Sequence, residues 1–449
     1  MSEVTPVTET PTASTVSALA GIALLLTIIM GSIGMLSPWV SLMPAGLFAW
    51  IAGILLWPTV PRQSKIQATV LLAVGFGLIG WVLARGGEIP WQFLIKGNAG
   101  LIAMLAAVSF LQVAGPLGAT QGQLYPRGRK ALWQTLLGVH VVGAVINLST
   151  VFIMARALAS KGRLEHQHYI SLSRLFGAAA FWSPFFASMA AALIYAPGAQ
   201  LTSLMLFGLP LAVVSFLLTA RDVNGLGVKD FHGYPISRSS LWLPGILALS
   251  ILLLHAIDPT VSVLGLIAAL VPAISVAVVF LRGTRAGGEG YQNKTPTALR
   301  VLQQHITVNL PKMSPELSLF LGAGVMAAGI ATVVLEFSLA FPAANFEGGE
   351  AASLLVVLVL AAMVGVHPII GIAAASPVVL PLSPDPSLLA STFLAAWGIG
   401  VAASPLSGMN LALQGSFSMR ASDILRWNGR YAALMVLAAG LLLQLHPAA

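Results

Sequence analysis

The chain has 449 residues, of which 57% are hydrophobic and only 8% charged; its formal net charge is +8 and it contains no cysteine. Mean hydropathy is +0.90. A soluble domain carries roughly a quarter charged residues, so this composition cannot cover a water-facing surface and lipid is the expected main solvent. The lack of cysteine excludes disulfides, thiolate metal sites and a cysteine nucleophile. The basic residues sit in particular loops, which is a topology signal and not a nucleic-acid surface.

Residues 1–16 are rich in Ser, Thr, Pro and Glu without a basic start, and read as a disordered cytoplasmic tail, not a secretory leader. Hydrophobic segments follow at 17–37, 42–57, 66–84, 97–115, 131–158, 174–195, 200–220, 240–256, 260–281, 316–338, 352–382, 388–412 and 428–446. If all thirteen cross the membrane, Arg127, Arg129 and Lys130 fall on one side while Lys161, Arg163 and Arg174 fall on the other. That breaks the positive-inside rule. Reading 131–158 as a hairpin entered from the cytoplasm and 352–382 as one entered from outside removes the conflict. Arg62/Lys65, Arg127–Lys130, Lys161–Arg174, Arg221–Arg238, Arg282–Lys312 and Arg420–Arg430 then share the cytoplasmic side. The outer loops keep Asp258, Glu347, Glu350 and Asp385. The expected fold is an all-α polytopic membrane protein of about eleven transmembrane helices plus two re-entrant hairpins. It sits in the plasma (inner) membrane as a multi-pass protein, N-terminus cytoplasmic and C-terminus outside.

Two stretches echo each other. Gly138-Val139-His140-Val141-Val142-Gly143 lies in the first hairpin and Gly365-Val366-His367-Pro368-Ile369-Ile370-Gly371 in the second. The next span in each case carries Ser-Pro, as Trp182-Ser183-Pro184-Phe185 and as Ala403-Ser404-Pro405-Leu406. The expected organisation is an inverted-topology repeat, 42–222 and 240–446, preceded by an extra leading helix at 17–37.

Irregular backbone at membrane depth leaves N–H and C=O groups that only protein, water or a ligand can satisfy. Pro184 and Pro405 each remove a donor inside a span, and Gly408 permits a turn or a close approach. Hairpin tips and broken spans that meet at mid-depth point half-helix N-termini inward, where free N–H groups attract an anion, while free carbonyls can hold a cation. Candidate site residues follow from this. His140 and His367 can donate to an anion or carry a coupled proton, or else stitch a hairpin turn to carbonyls. Asn147, Ser149 and Thr150 in the first hairpin can contact solute or sodium, as can Ser183, Pro184, Ser188, Pro368, Ser404, Pro405, Ser407, Gly408 and Asn410 around the breaks. Serines in membrane helices also bond their own i−4 carbonyls. Glu316 and Glu336, at the ends of their segment, read as structural or gating, and Trp39, Trp50, Trp57, Trp81, Trp91, Trp242 and Trp397 as interface anchors.

The arrangement of spans and hairpins resembles the ion transporter superfamily, which includes divalent anion–sodium symporters and the membrane subunits of TRAP transporters. The resemblance covers nearly the whole chain from about residue 40. Its best local matches are Ser404-Pro405-Leu406-Ser407-Gly408-Met409-Asn410-Leu411 and the polar run Asn147-Leu148-Ser149-Thr150. The symporters' Ser-Asn-Thr hairpin signature is absent, which leaves the anion and the coupling ion open. The resemblance implies an elevator mechanism, usually in a homodimer, with the hairpins and broken spans moving against a scaffold.

The function expected is secondary active transport of a small organic or inorganic anion, coupled to sodium or protons, with no other cofactor. Two alternatives stand beside it: a cation/proton antiporter on the same fold, and the membrane subunit of a transporter that needs a separate binding protein. Exchange of cations calls for a midplane carboxylate, and no hairpin or broken span holds Asp or Glu. The chain carries no H-E-x-x-H spacing and no G-x-x-x-x-G-K-[ST] loop, so an enzyme or an ATP-driven pump is not expected.

Overall fold

The structure, a computed structural model, describes residues 14–114, 126–146, 148–159, 163–234, 242–285, 296–337 and 345–446. The polar tail expected before residue 14 and the hairpin residue Asn147 lie outside the described residues. Among these residues there is no β-strand; Arg127 and His232 form an isolated antiparallel bridge. Seven helical stretches are long and apolar enough to cross a bilayer, the shortest of them 19 residues.

The chain opens with α1 (Thr15–Leu36), α2 (Met43–Leu56) and α3 (Arg62–Leu83). A jointed stretch follows, α4 (Trp91–Lys96), α5 (Ala99–Val108) and α6 (Leu111–Ala114). The segment expected to form the first hairpin holds α7 (Gly128–Ile146) and α8 (Leu148–Leu158), on either side of residue 147. Next come α9 (His166–Ala179), α10 (Ala187–Tyr195) and α11 (Leu201–Gly225). The second half runs α12 (Trp242–Ile257), α13 (Val263–Arg285), α14 (Pro296–Gln304) and α15 (Ser314–Glu336), the last two joined by a π-turn at His305–Asn309 and a 3₁₀ turn. It ends with α16 (Gly348–Met363), α17 (Pro368–Val379), α18 (Pro386–Ala403), α19 (Gly408–Phe417) and α20 (Ala421–Gln444).

The apolar surface has a direction. On α11, Leu206 is 71% exposed and Val213 and Leu217 are 56% and 60% exposed. They fall on one face at helical spacing, while Leu204, Gly208, Leu211 and Ser215 point inward. An apolar face of that kind suits lipid and not water.

Two packed groups emerge from the helix contacts. In one, α3 lies along α15, and α13 packs on α5, α6 and α1. Gly322 packs on Ala68 and Leu71, Gly329 packs on Gly75, and Trp81 stacks on Phe337 with ring centroids 4.7 Å apart. Residue numbers rise together along that seam, so α3 and α15 run parallel. In the other group α7 and α11 pack on α9, α16 and α20 pack on α18, and α9 crosses α18.

The second group also repeats in register. Helices starting at 128, 148, 166, 187 and 201 have counterparts starting at 348, 368, 386, 408 and 421, each 220 or 221 positions later. Ser183-Pro184 and Ser404-Pro405 obey the same spacing (404 − 183 = 221). Gly177 and Gly398 obey it too, and they touch. A Cβ added at 177 meets the Gly398 carbonyl oxygen at 2.9 Å, and one added at 398 meets that of Gly177 at 3.0 Å. The two broken helices therefore cross at matching positions, where only glycine lets the backbones approach.

Candidate functional site

Each Ser-Pro span is interrupted in its middle. α9 stops at Ala179, residues 180–186 turn, and α10 starts at Ala187. Proline cannot continue the N–H ladder, so Ser183 substitutes for it. Its Oγ accepts the Phe185 N–H (3.2 Å) and donates to the Ala144 carbonyl of α7. Ser188 Oγ donates to Ala180 O at 2.6 Å, closing the same loop from below. Pro184 is buried between them.

At the second break α18 ends at Ala403 and α19 begins at Gly408. Ser404 Oγ accepts the Leu406 N–H at 3.2 Å. Ser407 caps α19, accepting the Asn410 N–H (3.3 Å) while donating to Val401 O (2.9 Å). Asn410 Nδ2 reaches the carbonyls of Val401, Ala402 and Ser404 at 3.4, 3.2 and 2.8 Å. Gln414 Nε2 donates to Pro405 O at 2.6 Å and to Asn410 O at 3.1 Å. Pro405 is buried, whereas Gly408 is exposed and no atom lies within 4 Å of a Cβ placed there.

The consequence is a polarity. At the second break the carbonyls of Val401, Ala402, Ser404 and Pro405 are occupied by the protein's own hydroxyl and amides, and at the first the Ser188 hydroxyl takes that of Ala180. Among the described residues no acceptor takes the N–H of Ala187, Ser188, Gly408 or Met409. These four groups sit at matching positions in the two halves and carry the positive end of α10 and of α19.

The histidines do not sit at matching positions. His140 lies inside α7, and His367 is the N-cap of α17. In the register of the helices His367 falls opposite residue 147, outside the described residues and not opposite His140, so the Gly-Val-His likeness does not pair equivalent residues. His140 Nε2 accepts the Trp182 Nε1–H at 3.0 Å. An indole N–H only donates, so the proton sits on Nδ1, which faces Leu175 O at 3.0 Å. Both ring nitrogens are thereby engaged, bolting α7 to α9 and to the first break, and the stitching role wins over anion contact. His367 Nδ1 accepts the Ile369 N–H at 3.3 Å, and Pro368 fills the first helical position. The ring lies edge-on to Trp397, centroids 5.5 Å apart. Trp397 is 3% exposed, a packing residue and not the interface anchor expected from its place near a segment end. The turn before His367 needs Gly365 at φ +104°, and its carbonyl accepts Gln67 Nε2 of α3 at 2.9 Å.

At the first hairpin Thr150 Oγ1 is buried in the first turn of α8 without a partner among the described residues. The side chain of Ser149 lies outside the described set, as does Asn147.

The largest correction concerns Arg174, expected among the cytoplasmic loop charges. The helix begins at His166, eight residues earlier than the hydrophobic segment, and Arg174 is 1% exposed. Its NH1 donates to Asp222 Oδ2 (2.7 Å), NH2 to Trp427 O (2.7 Å) and Nε to Asn428 Oδ1 (2.9 Å). The guanidinium also lies 4.6 Å over the Tyr431 ring. Asn428 Nδ2 donates to Ala402 O (2.7 Å) and to Tyr169 OH (3.2 Å), and Tyr169 OH donates to Asn410 Oδ1 (2.9 Å). Sequence reasoning missed Tyr169, Asp222 and Asn428 because their partners lie far away in the chain, and missed Gln414 although its partners Pro405 and Asn410 are close by. The available signal was a lone Arg and a lone Asp near the ends of two neighbouring apolar segments.

No protein-family model matches the chain, and no curated protein matches it significantly. Among solved structures it is similar to the Alcanivorax borkumensis YdaH transporter, at 12% identity and a TM-score of 0.40, covering 96% of this chain and 98% of that one. It is also similar to Neisseria gonorrhoeae MtrF, of a class of antimetabolite efflux pumps, at 12% identity and a TM-score of 0.37, covering 98% and 96%. Identities and scores this low leave the function to be argued from the site itself.

Proposed function

We propose that this chain is a secondary active transporter of a small organic or inorganic anion, working by an elevator movement of α7–α11 and α16–α20 against the remaining helices. The observation that carries the reading is the pair of breaks: four matching N–H groups left for a ligand, and at the second break carbonyls capped by side chains. A carboxylate or similar oxyanion accepts such N–H groups without further groups being recruited, whereas a bare cation finds the carbonyls of the second break already engaged. The 220-residue register, the crossing at Gly177 and Gly398 and the parallel α3/α15 seam support two inverted halves with two re-entrant hairpins. Sodium or a proton is the coupling ion in this reading, and a dimer the expected assembly.

The test is thermal stability of the purified protein in detergent, across dicarboxylates, tricarboxylates, monocarboxylates, sulfonates and inorganic oxyanions. Each is measured with and without sodium, at about pH 6 and pH 8, which bracket histidine titration. A ligand stabilises the state it binds by RT ln(1 + [L]/Kd), about 2.7 kcal/mol at a hundredfold excess over Kd. A rise in Tm for one anion class, enlarged by sodium or acid, supports the reading. A rise with cations alone overturns it.

A further inference from the structure

The chain of bonds from Arg174 to the second break runs in one direction only. Arg Nε is a donor and never an acceptor, so Asn428 must present Oδ1 to it (2.9 Å). That turns Asn428 Nδ2 toward Tyr169 OH (3.2 Å) and Ala402 O (2.7 Å). Having accepted from Asn428, the Tyr169 hydroxyl gives its own proton to Asn410 Oδ1 (2.9 Å). Asn410 is then left with one orientation, Nδ2 toward the carbonyls of Val401, Ala402 and Ser404. Every link is buried: Arg174 is 1% exposed, and Tyr169, Asn410 and Asn428 are 0% exposed. Water therefore does not compete for these bonds, and an amide turned the wrong way would place two acceptors face to face.

We infer that Arg174 is a positioning residue that sets the charge preference of the second break through Asn428, Tyr169 and Asn410. A cation fixed on α9 decides which way two amides on α19 and α20 point, and so keeps the α18 carbonyls occupied and the Gly408 and Met409 N–H groups free. The inference rests on the anion-transport reading for its functional consequence, but not for its structural one. Asp222 neutralises Arg174 from α11 at 2.7 Å, so the device adds direction to the site without adding net charge.

The test compares three variants of the full-length protein in detergent. Tyr169→Phe removes the donor to Asn410. Asn428→Asp keeps an acceptor for Arg174 and loses the donors to Tyr169 and Ala402. Tyr431→Phe deletes an equally buried hydroxyl, bonded only to Ser215 at 2.8 Å, and leaves the relay intact. Hydrogen–deuterium exchange of peptides spanning 401–411 needs no ligand. We expect exchange there to quicken at least about tenfold in the first two variants and to match wild type in Tyr431→Phe. The second readout is Kd for the anion that most stabilises the wild-type protein in the panel above. It should rise about tenfold in the first two variants, one lost orienting bond of about 1.4 kcal/mol, with Tyr431→Phe unchanged although its melting temperature without ligand falls as far as that of Tyr169→Phe. Equal exchange in Tyr169→Phe and Tyr431→Phe overturns the relay. Quickened exchange in a protein that binds no anion keeps the relay and removes the transport reading.

Discussion

Replacing Gly398 with alanine tests the crossing of the two broken helices. A Cβ at 398 would lie 2.3 Å from Phe181 Cε1, 2.6 Å from its Cδ1 and 3.0 Å from the Gly177 carbonyl oxygen. Carbon atoms settle at roughly 3.5–4.0 Å, so the ring would have to retreat by about an ångström or more. It has nowhere to go. Phe181 is fully buried, and its own carbonyl lies 2.0 Å from where a Cβ on Gly208 of α11 would be. Overpacking of this kind costs about 1–3 kcal/mol, and that is the expected loss for Gly398→Ala, measured by reversible unfolding in mixed micelles. Gly408→Ala is the control, since no atom lies within 4 Å of its Cβ. It should leave stability unchanged and weaken anion-induced stabilisation, because the added methyl crowds the free N–H groups of α19. Gly398→Ala within about 0.5 kcal/mol of wild type would show that the helices do not meet as closely as described.

Three further outcomes are expected. His140→Ala strands the Leu175 carbonyl and the Trp182 indole N–H in a buried site, lowering stability by about 2–4 kcal/mol; folded protein should keep its anion response, and a lost response at full stability would return His140 to the binding site. His367→Ala removes the cap on the Ile369 N–H and should cost about 0.5–2 kcal/mol, whereas His367→Asn restores an acceptor and most of the loss. In the α12–α13 loop, Asp258 Oδ1 accepts the Thr260 hydroxyl and N–H at 2.6 and 3.0 Å, which holds its carboxyl below the ordinary 3.8. A depressed carboxyl stabilises the folded loop above its unfolded pKa and loses that contribution as pH falls through the folded value. Protection of the 257–262 amides, taken relative to their intrinsic exchange rates, should therefore fall below about pH 4, and Thr260→Val should flatten that profile; a profile unaltered in that variant would refute the bond.

Local chemistry made the breaks readable. Pro184 and Pro405 forbid a continuous ladder, and the serines beside them supply the missing acceptors, so both interruptions fall where the sequence reading puts them. The segments 131–158 and 352–382 each hold two helices, as α7 and α8 and as α16 and α17. The likeness of Gly138-Val139-His140 to Gly365-Val366-His367 misled for the opposite reason. A three-residue string carries no register, and the helices keep a spacing of 220 or 221 that those histidines violate. Arg174 escaped because hydrophobicity windows treat a charge as a sign of water. Its partners Asp222 and Asn428 stand 48 and 254 positions away, and nothing local announces that a cation will be satisfied from such distances. Thr150, by contrast, was named from its polarity in an apolar hairpin, and its hydroxyl is buried without a partner among the described residues.

The matching positions at the two breaks hold the same backbone but different chemistry. Ser188 stands opposite Met409, and Met189 opposite Asn410. If both halves descend from one duplicated ancestor, the copies have since divided their labour. The second carries the amide that locks its own carbonyls, and the first a longer, hydroxyl-lined turn with a thioether in the amide's place. Divergence at such a site is constrained in pairs, because each break packs against the other at Gly177 and Gly398 and a gain in bulk on one side must be matched by a loss across the axis. A comparison of related chains should therefore find these four positions changing together, with the two glycines fixed between them.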